Sequence, residues 1–475
     1  MKRVLSFLLA VIMLISCCAV AAVAGEMDSS DEDEKPLYES LGVDAVTLNC
    51  KYSSDRQAVE ISGNVNYNIL VSYGKYSIGI IRIKPSQSIE EAINAKKPDI
   101  AAQMSIAAKF SFTLDIKKTA ERFCKYAVVI ISPEGQIILA SEPTYIGVSS
   151  GKTNSSLNNF KGIAVNDMKE VSVGGDMGFG CAVIPVYYDR LINASMNGYM
   201  YPHEDTHLFF DKTYVDELDA KIRTFSVSGA KVYLQLLMPK VDATGAVVGY
   251  EMPDVYNEKT LSLLYTYVKF LSSRYNEYVN GQIGGFIVGK QIDKKIYNSS
   301  KVTSVEDYAE KYAFYLSVVA NTARLENPDI DIIAPFSDAD CFEGAVELST
   351  GDYLSSKLIE EIAAVYDRDF SGGLDFNIMI ESEGYVLETE ISEDGAEKKY
   401  VPVENDRDSM LSIKELSRLN TFLQKLKKNY RSAPDKYIFS WDVPRDVQGS
   451  ILECSYAYAY YSLIQNSATS SFVIS

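Results

Sequence analysis

Between Ala45 and Ile146 apolar residues recur at every second position in short runs: VTLNCKY, AVEISGNV, YSIGIIRI, FSFTLDI, YAVVIIS and QIILAS. Period-two alternation places one face of each segment in a core and the other in water, which predicts strands. Pro133-Glu134-Gly135 separates the last two runs as a hairpin turn. The expectation for residues 41–148 is therefore an antiparallel β-sandwich. The stretch GVSSGKTNSSLNN, Gly147 to Asn159, has linker composition, and the linker is placed at 149–160.

From Lys161 the rhythm changes. Apolar strands are expected at Gly162 to Val165, Cys181 to Val186, Lys231 to Met238, Ile283 to Val288, Ile330 to Pro335, Phe376 to Ile380, Tyr437 to Trp441 and Ser471 to Ile474. Amphipathic stretches with helical spacing alternate with them: Lys212 to Ser226, Glu258 to Tyr275, Val305 to Leu325, Tyr353 to Tyr366, Ile413 to Lys428 and Gly449 to Ile464. Alternating strands and helices define an α/β chain, and eight such strands over residues 161–475 imply a (β/α)8 TIM barrel. An open doubly wound sheet is the alternative that the pattern alone leaves. The sequence stops at Ser475 on the eighth strand, with no eighth helix after it.

The N-terminus adds a cellular address. Met1-Lys2-Arg3 precedes an apolar run from Val4 to Ile15 and small residues ending Ala22-Val23-Ala24, which reads as a signal peptide over 1–24 and a secreted or cell-surface protein. Leu14-Ile15-Ser16-Cys17 also fits a lipoprotein box with Cys17 as the anchor. Residues 25–40, with the run Asp28-Ser29-Ser30-Asp31-Glu32-Asp33-Glu34, read as an acidic disordered spacer. Losing Lys2 and Arg3 takes the net charge from -18 to -20, which argues against nucleic acid and anionic lipid as partners. No later stretch is apolar for long enough to span a bilayer. The scattered Cys50, Cys124, Cys181, Cys341 and Cys454 form no metal or redox spacing. Cys50 and Cys124 fall on sandwich strands, where two buried thiols are favoured over a disulfide. Gly284-Gly285 and Gly372-Gly373 lack phosphate-loop spacing, so no cofactor is expected.

Several blocks in fixed order carry a resemblance: Lys161-Gly162-Ile163, AVIPV, FFDKTYVDELDAKI, VYLQLLMP, GGFIVGKQID, DYAEKYAFYLSVV and AYAYY at Ala457 to Tyr461. Together they resemble a family of secreted bacterial proteins, a domain of unknown function regarded as a glycoside-hydrolase-like (β/α)8 barrel preceded by a β-sandwich. The resemblance implies an acid/base glutamate at the end of the fourth strand and a nucleophilic glutamate at the end of the seventh. Retaining cleavage needs those carboxyls about 5 to 5.5 Å apart. Here the first position reads Gly289-Lys290-Gln291 and the second Phe439-Ser440-Trp441-Asp442. An amide has no carboxylic proton to give and an indole cannot attack, so the inherited double displacement is expected to be lost. Asp293, Glu381 and Asp442 remain near the expected mouth, and Glu381 with Asp442 is the candidate relocated acid pair. The plainer reading is that these carboxylates are solvated or paired with Lys290.

His203-Glu204-Asp205-Thr206-His207 spells H-E-x-x-H and holds both histidines of the chain. Zinc binding by that motif needs a helix that puts both imidazoles on one face. Tyr201-Pro202 ahead of it and Asp205-Thr206 within it favour a turn, with the helix starting near Asp211, so a zinc protease ranks last. For ligand binding, Trp441 with Lys290, Gln291, Asn377, Glu381 and Tyr188 is the expected set of aromatic faces and polar edges. A large aromatic at 441 equally suits a plugged pocket. The expected partner is a polysaccharide or other glycan, or an extracellular protein.

Overall fold

The computed structural model describes residues 38–42, 45–148, 161–166, 171, 179–192, 198–277, 279–294, 304–337, 352–382, 385–392, 395–402, 416–434, 436–441 and 471–474. The sandwich strands are β1 (Val46–Tyr52), β2 (Ala58–Val65), β3 (Ser77–Ile83), β4 (Ile100–Ser105), β5 (Lys109–Asp115), β6 (Lys125–Ile131) and β7 (Ile137–Leu139), followed by the short β8 (Tyr145–Ile146). They form one sheet in the order β1-β2-β5 and a second in the order β4-β3-β6-β7. All pairs within both sheets are antiparallel. Alternate side chains from the two sheets meet in one core, with Val59, Ile61, Ile78, Ile80, Val128 and Ile130 fully buried. Cys50 and Cys124 belong to this core as free thiols. Burial pushes each up to about 12, which leaves them protonated and unreactive.

The barrel strands are β9 (Lys161–Ala164), β10 (Cys181–Tyr187), β13 (Lys231–Leu237), β16 (Ile283–Val288), β17 (Asp331–Ser337), β19 (Asn377–Ser382), β22 (Tyr437–Trp441) and β23 (Ser471–Ile474). The numbers between them belong to hairpins and a short strand: β11 (Gly198–His203) with β12 (Thr206–Asp211), β14 (Pro239–Val241) with β15 (Val247–Tyr250), β18 (Phe370–Ser371), and β20 (Tyr385–Ser392) with β21 (Gly395–Pro402). The eight barrel strands close in the order β10-β13-β16-β17-β19-β22-β23-β9, which excludes the open sheet. Closure is made by β23, parallel to both β22 and β9. Inward-facing Cys181, Val183, Tyr233, Ile287, Ile333, Met379 and Ile438 fill the interior, so the barrel is packed rather than a pore.

Helices α1 (Lys212–Val227), α2 (Glu258–Arg274), α3 (Val305–Glu326), α4 (Ser355–Asp369) and α5 (Leu416–Asn429) cover the barrel. Their starts are encoded locally. Asp211, Asn257 and Ser304 accept hydrogen bonds from first-turn backbone N–H groups of α1, α2 and α3. No helix among the described residues is long and apolar enough to cross a membrane.

The sandwich is fastened to the barrel rather than tethered beside it. β8 pairs in parallel with β18. Arg324, 1% exposed near the end of α3, donates to the Val148 carbonyl at 2.6 Å and to the Asp375 carbonyl at 3.0 Å. Lys125 of β6 pairs with Asp369 of α4 at 3.0 Å.

Candidate functional site at the C-terminal end of the barrel

Two single residues with left-handed backbone, on either side of Lys290, shape the end of β16. Gly289 has φ 93° and Gln291 φ 40°. Glycine enters that region freely, whereas a glutamine there pays a steric cost of about 1 to 2 kcal/mol. The segment still extends the sheet on both sides: Gly289 N–H donates to the Leu236 carbonyl at 3.0 Å, and Ile292 N–H to the Pro335 carbonyl at 3.0 Å. Between those anchors the Gln291 N–H turns toward the barrel axis and donates to Glu381 Oε2 at 3.1 Å.

Glu381 is next to last in β19, in register with Ser337 of β17 and Ser440 of β22. It shares the inward parity of Met379 and is 4% exposed. Its Oε1 accepts from Gln235 Nε2 at 3.1 Å, and the same Nε2 donates to the Gly289 carbonyl at 3.0 Å. Gln235, on β13 two residues beyond Tyr233, thus ties three strands together beneath the mouth. A buried carboxylate demands donors of this kind, because an unmet charge away from water is far costlier than an unmet neutral group.

Asp293 has another fate. It is fully buried, and its carboxylate accepts from the Ser337 N–H at 2.8 Å, from the Ser337 hydroxyl, and from the Ser355 hydroxyl at 2.8 Å. Burial raises its carboxyl above the usual range against the opposing pull of those hydrogen bonds. This corrects the reading of Asp293 as a solvated mouth carboxylate or a partner of Lys290. It is a structural brace joining the ends of β16 and β17 to the start of α4. Lys290 is half-buried and lines a pocket of about 10 Å³ with Tyr250, Tyr308, Tyr312 and Tyr315, far too small for a sugar.

The other expected site residues divide. Trp441 is the last residue of β22, so it and Gln291 lie at the same end of the barrel. Asp442 falls outside the described residues. Asn377 is the first residue of β19, four residues and about 13 Å before Glu381. It belongs to the opposite end, and the expected place for it in a mouth platform is corrected. Tyr188 is 3% exposed and stacks on Tyr267 with ring centroids 5.3 Å apart. It offers no ring to the mouth, because the strand has ended and the chain has entered a short helix, Tyr188–Leu191. The preceding Tyr187 has the inward parity of Cys181 and Val183, remains partly exposed, and lies 6.1 Å from Tyr250 of β15. Sequence reading missed Tyr187, Tyr250 and Gln235. The available signal was the period-two parity that makes Tyr187 inward and puts a polar Gln235 inside an apolar strand.

The H-E-x-x-H stretch is a hairpin. His203 closes β11 against Thr206 of β12, and Glu204 sits in the turn at φ 48°. His203 Nδ1 is 2.8 Å from Thr266 Oγ1, and Glu204 Oε1 accepts from Ser262 Oγ at 2.6 Å, both partners being on α2. A strand hairpin separates residues 203 and 207 onto different strands, so the zincin arrangement is not formed. Among the described residues no group of three or more His, Cys, Asp or Glu stands together as a metal site.

A closed parallel barrel ringed by helices and preceded by an antiparallel β-sandwich defines a two-domain (β/α)8-barrel protein. The chain belongs to the family of unknown function DUF5722, which matches residues 153–475. No curated protein matches the sequence. Among solved structures it is similar to a calcium-binding mutant of Bacteroides uniformis β-glucuronidase 2, at 9% identity and TM-score 0.36 over 91% of this chain and 46% of that one. The chain therefore spans about half the length of that protein. It is also similar to a family 1 β-glucosidase from Thermotoga maritima, at 9% identity and TM-score 0.37 over 64% of this chain and 76% of that one. A further glycoside hydrolase shares 14% identity at TM-score 0.36, over 70% of this chain and 86% of that one. Likeness this distant carries no argument about activity, which has to come from the site.

Proposed function

We propose that the barrel mouth binds a glycan without cleaving it, and that the protein is secreted or displayed at the cell surface, as its N-terminal sequence suggests. The observation that carries the reading is Glu381. Hydrolysis needs two carboxyls facing one bond, one free to give or take a proton and one free to attack or to activate water. Among the described residues, the inward carboxylate at the mouth is 4% exposed, with one oxygen held by Gln235 and the other by the Gln291 N–H. The position where the resemblance expects an acid/base glutamate holds Gln291, whose main-chain N–H is already engaged. The seventh strand ends in Trp441. Aromatic faces beside polar edges suit the stacking and hydrogen bonding of a sugar ring, and Tyr187, Tyr250 and Trp441 are the aromatic candidates. The strongly acidic balance, -18 over the whole sequence and -20 once Lys2 and Arg3 are lost, favours neutral or basic ligands over polyanions.

A glycan array followed by titration calorimetry tests this. The expected result is binding of at least one neutral glycan, weakened about 2- to 10-fold by Trp441→Ala through loss of a stacking surface. No binding across a broad panel would move the function to a protein-facing surface. The alternative, an active hydrolase using Glu381 and Asp442, calls for turnover that disappears in Glu381→Gln.

A further inference from the structure

Beside the mouth, in the helix layer rather than the barrel interior, lies an apolar cleft of about 310 Å³. Its walls come from the turn after β10 (Tyr188, Ile192), the chain leaving β13 (Met238, Pro239) and α2 (Leu263, Tyr267). A cleft of this size with a mostly apolar lining has the dimensions of a small-molecule pocket. It is also not soft. Tyr188 and Tyr267 are 3% and 7% exposed and stacked, and Met238 is shared with the small pocket lined by Gly289 and Lys290. The cleft thus abuts the very segment whose continuation holds Glu381.

Two features define an occupant. The lining is mostly carbon and the volume suits one or two fused rings, so the buried part of the ligand is an apolar group of about that size. The exposed Asp189 stands at the rim as an acceptor, which favours a hydroxyl-bearing ligand and disfavours an anionic one. We infer that this cleft is a subsite for an aryl-sized apolar aglycone, so that the ligand of the mouth is a glycoconjugate rather than an unsubstituted glycan. This deepens the proposed glycan binding and rests on it for the sugar half alone. The cleft has its own lining and is tested without any sugar.

The test uses 4-methylumbelliferone at pH 6, where it is neutral, followed by its glycosides and the matching methyl glycosides. Binding of the bare fluorophore is read by fluorescence anisotropy on the full chain, its Ile192→Trp and Leu263→Trp variants, and Asp189→Asn. Ile192 is exposed and Leu263 half-buried, so the added indole fills the cleft without invading the core; unchanged thermal melting verifies this for each variant. The expected result is fluorophore binding weakened at least 10-fold by either tryptophan. Absence of binding at millimolar fluorophore, or equal binding by wild type and both filled variants, overturns the subsite. If the umbelliferyl glycosides bind more tightly than both the bare fluorophore and the methyl glycosides, the two halves act together. If they bind no better than the fluorophore, the glycan reading fails while the cleft stands.

Discussion

The two ends of the barrel hold charge in opposite ways. At the N-terminal end Lys231 of β13 pairs with Asp331 of β17 at 2.6 Å, with the Tyr233 hydroxyl 3.4 Å from the same carboxylate oxygen. Glycines of β16 make the room: a Cβ on Gly284 would lie 2.2 Å from Lys231 Cγ, and one on Gly285 would lie 2.6 Å from the Asp331 carbonyl oxygen. At the C-terminal end Glu381 is held by the neutral amide of Gln235 and the Gln291 N–H. A matched ion pair fastens strands together. The carboxylate held by these two neutral donors lies beneath the mouth, where barrels of this kind place ligands. The bottom is a fastening, and the top, where Asp293 also braces the strand ends, is the proposed binding site.

Breaking the fastening has the largest expected effect. Lys231→Met removes the cation and leaves Asp331 without that partner, at a cost of about 2 to 3 kcal/mol, since the pair is only partly screened by solvent. Chemical denaturation measures it, and Lys231→Met with Asp331→Asn should recover part of the loss; no loss in the single variant would make the two ends energetically alike. Glu381→Gln costs less, about 1 kcal/mol, because the side chain keeps its shape and loses one good acceptor. If it is instead as damaging as Lys231→Met, Glu381 is a fastening too.

Much of this architecture was legible from the chain because burial writes itself as periodicity. Strands β1 and β2 match their expected runs VTLNCKY and AVEISGNV, and all eight barrel strands lie where apolar segments predicted them. The missed β4, IAAQMS, is an edge strand with no fully buried residue and no period-two alternation of burial. The site was less legible because it depends on where strands stop. The pattern points to Asn377 at the mouth although it begins its strand, and to Tyr188 although the strand has already ended there and Tyr187 holds the inward position. The key contact at Gln291 is made by its main chain in a left-handed conformation, which nothing in the identity of a glutamine announces.

The pH dependence of stability sharpens the contrast at the C-terminal end. Asp293 has its folded-state affinity for protons raised by burial, so its contribution favours folding below its unfolded value near 3.8 and is lost as pH rises through the higher folded value. Relative to Asp293→Asn, the wild type should therefore gain stability between pH 7 and pH 3.5 in denaturant titrations. A gap that moves the other way would mean the serine hydrogen bonds outweigh burial.

The smallest expected effect concerns the hairpin on α2. His203→Ala removes the contact to Thr266 and should cost about 0.5 kcal/mol, with no bound zinc found by metal analysis of the purified protein. Stoichiometric zinc lost on that substitution would make this hairpin a second site.

The claim that the mouth binds without cleaving is tested most directly by turnover. Wild type, Gln291→Glu and Glu381→Gln are incubated with a broad panel of aryl glycosides and polysaccharides, and released product is followed to high sensitivity. The account predicts background rates for all three, since one restored carboxyl does not rebuild a catalytic pair whose members act as a unit. Robust hydrolysis by the wild type, abolished by Glu381→Gln, would contradict it and make Glu381 a catalytic group.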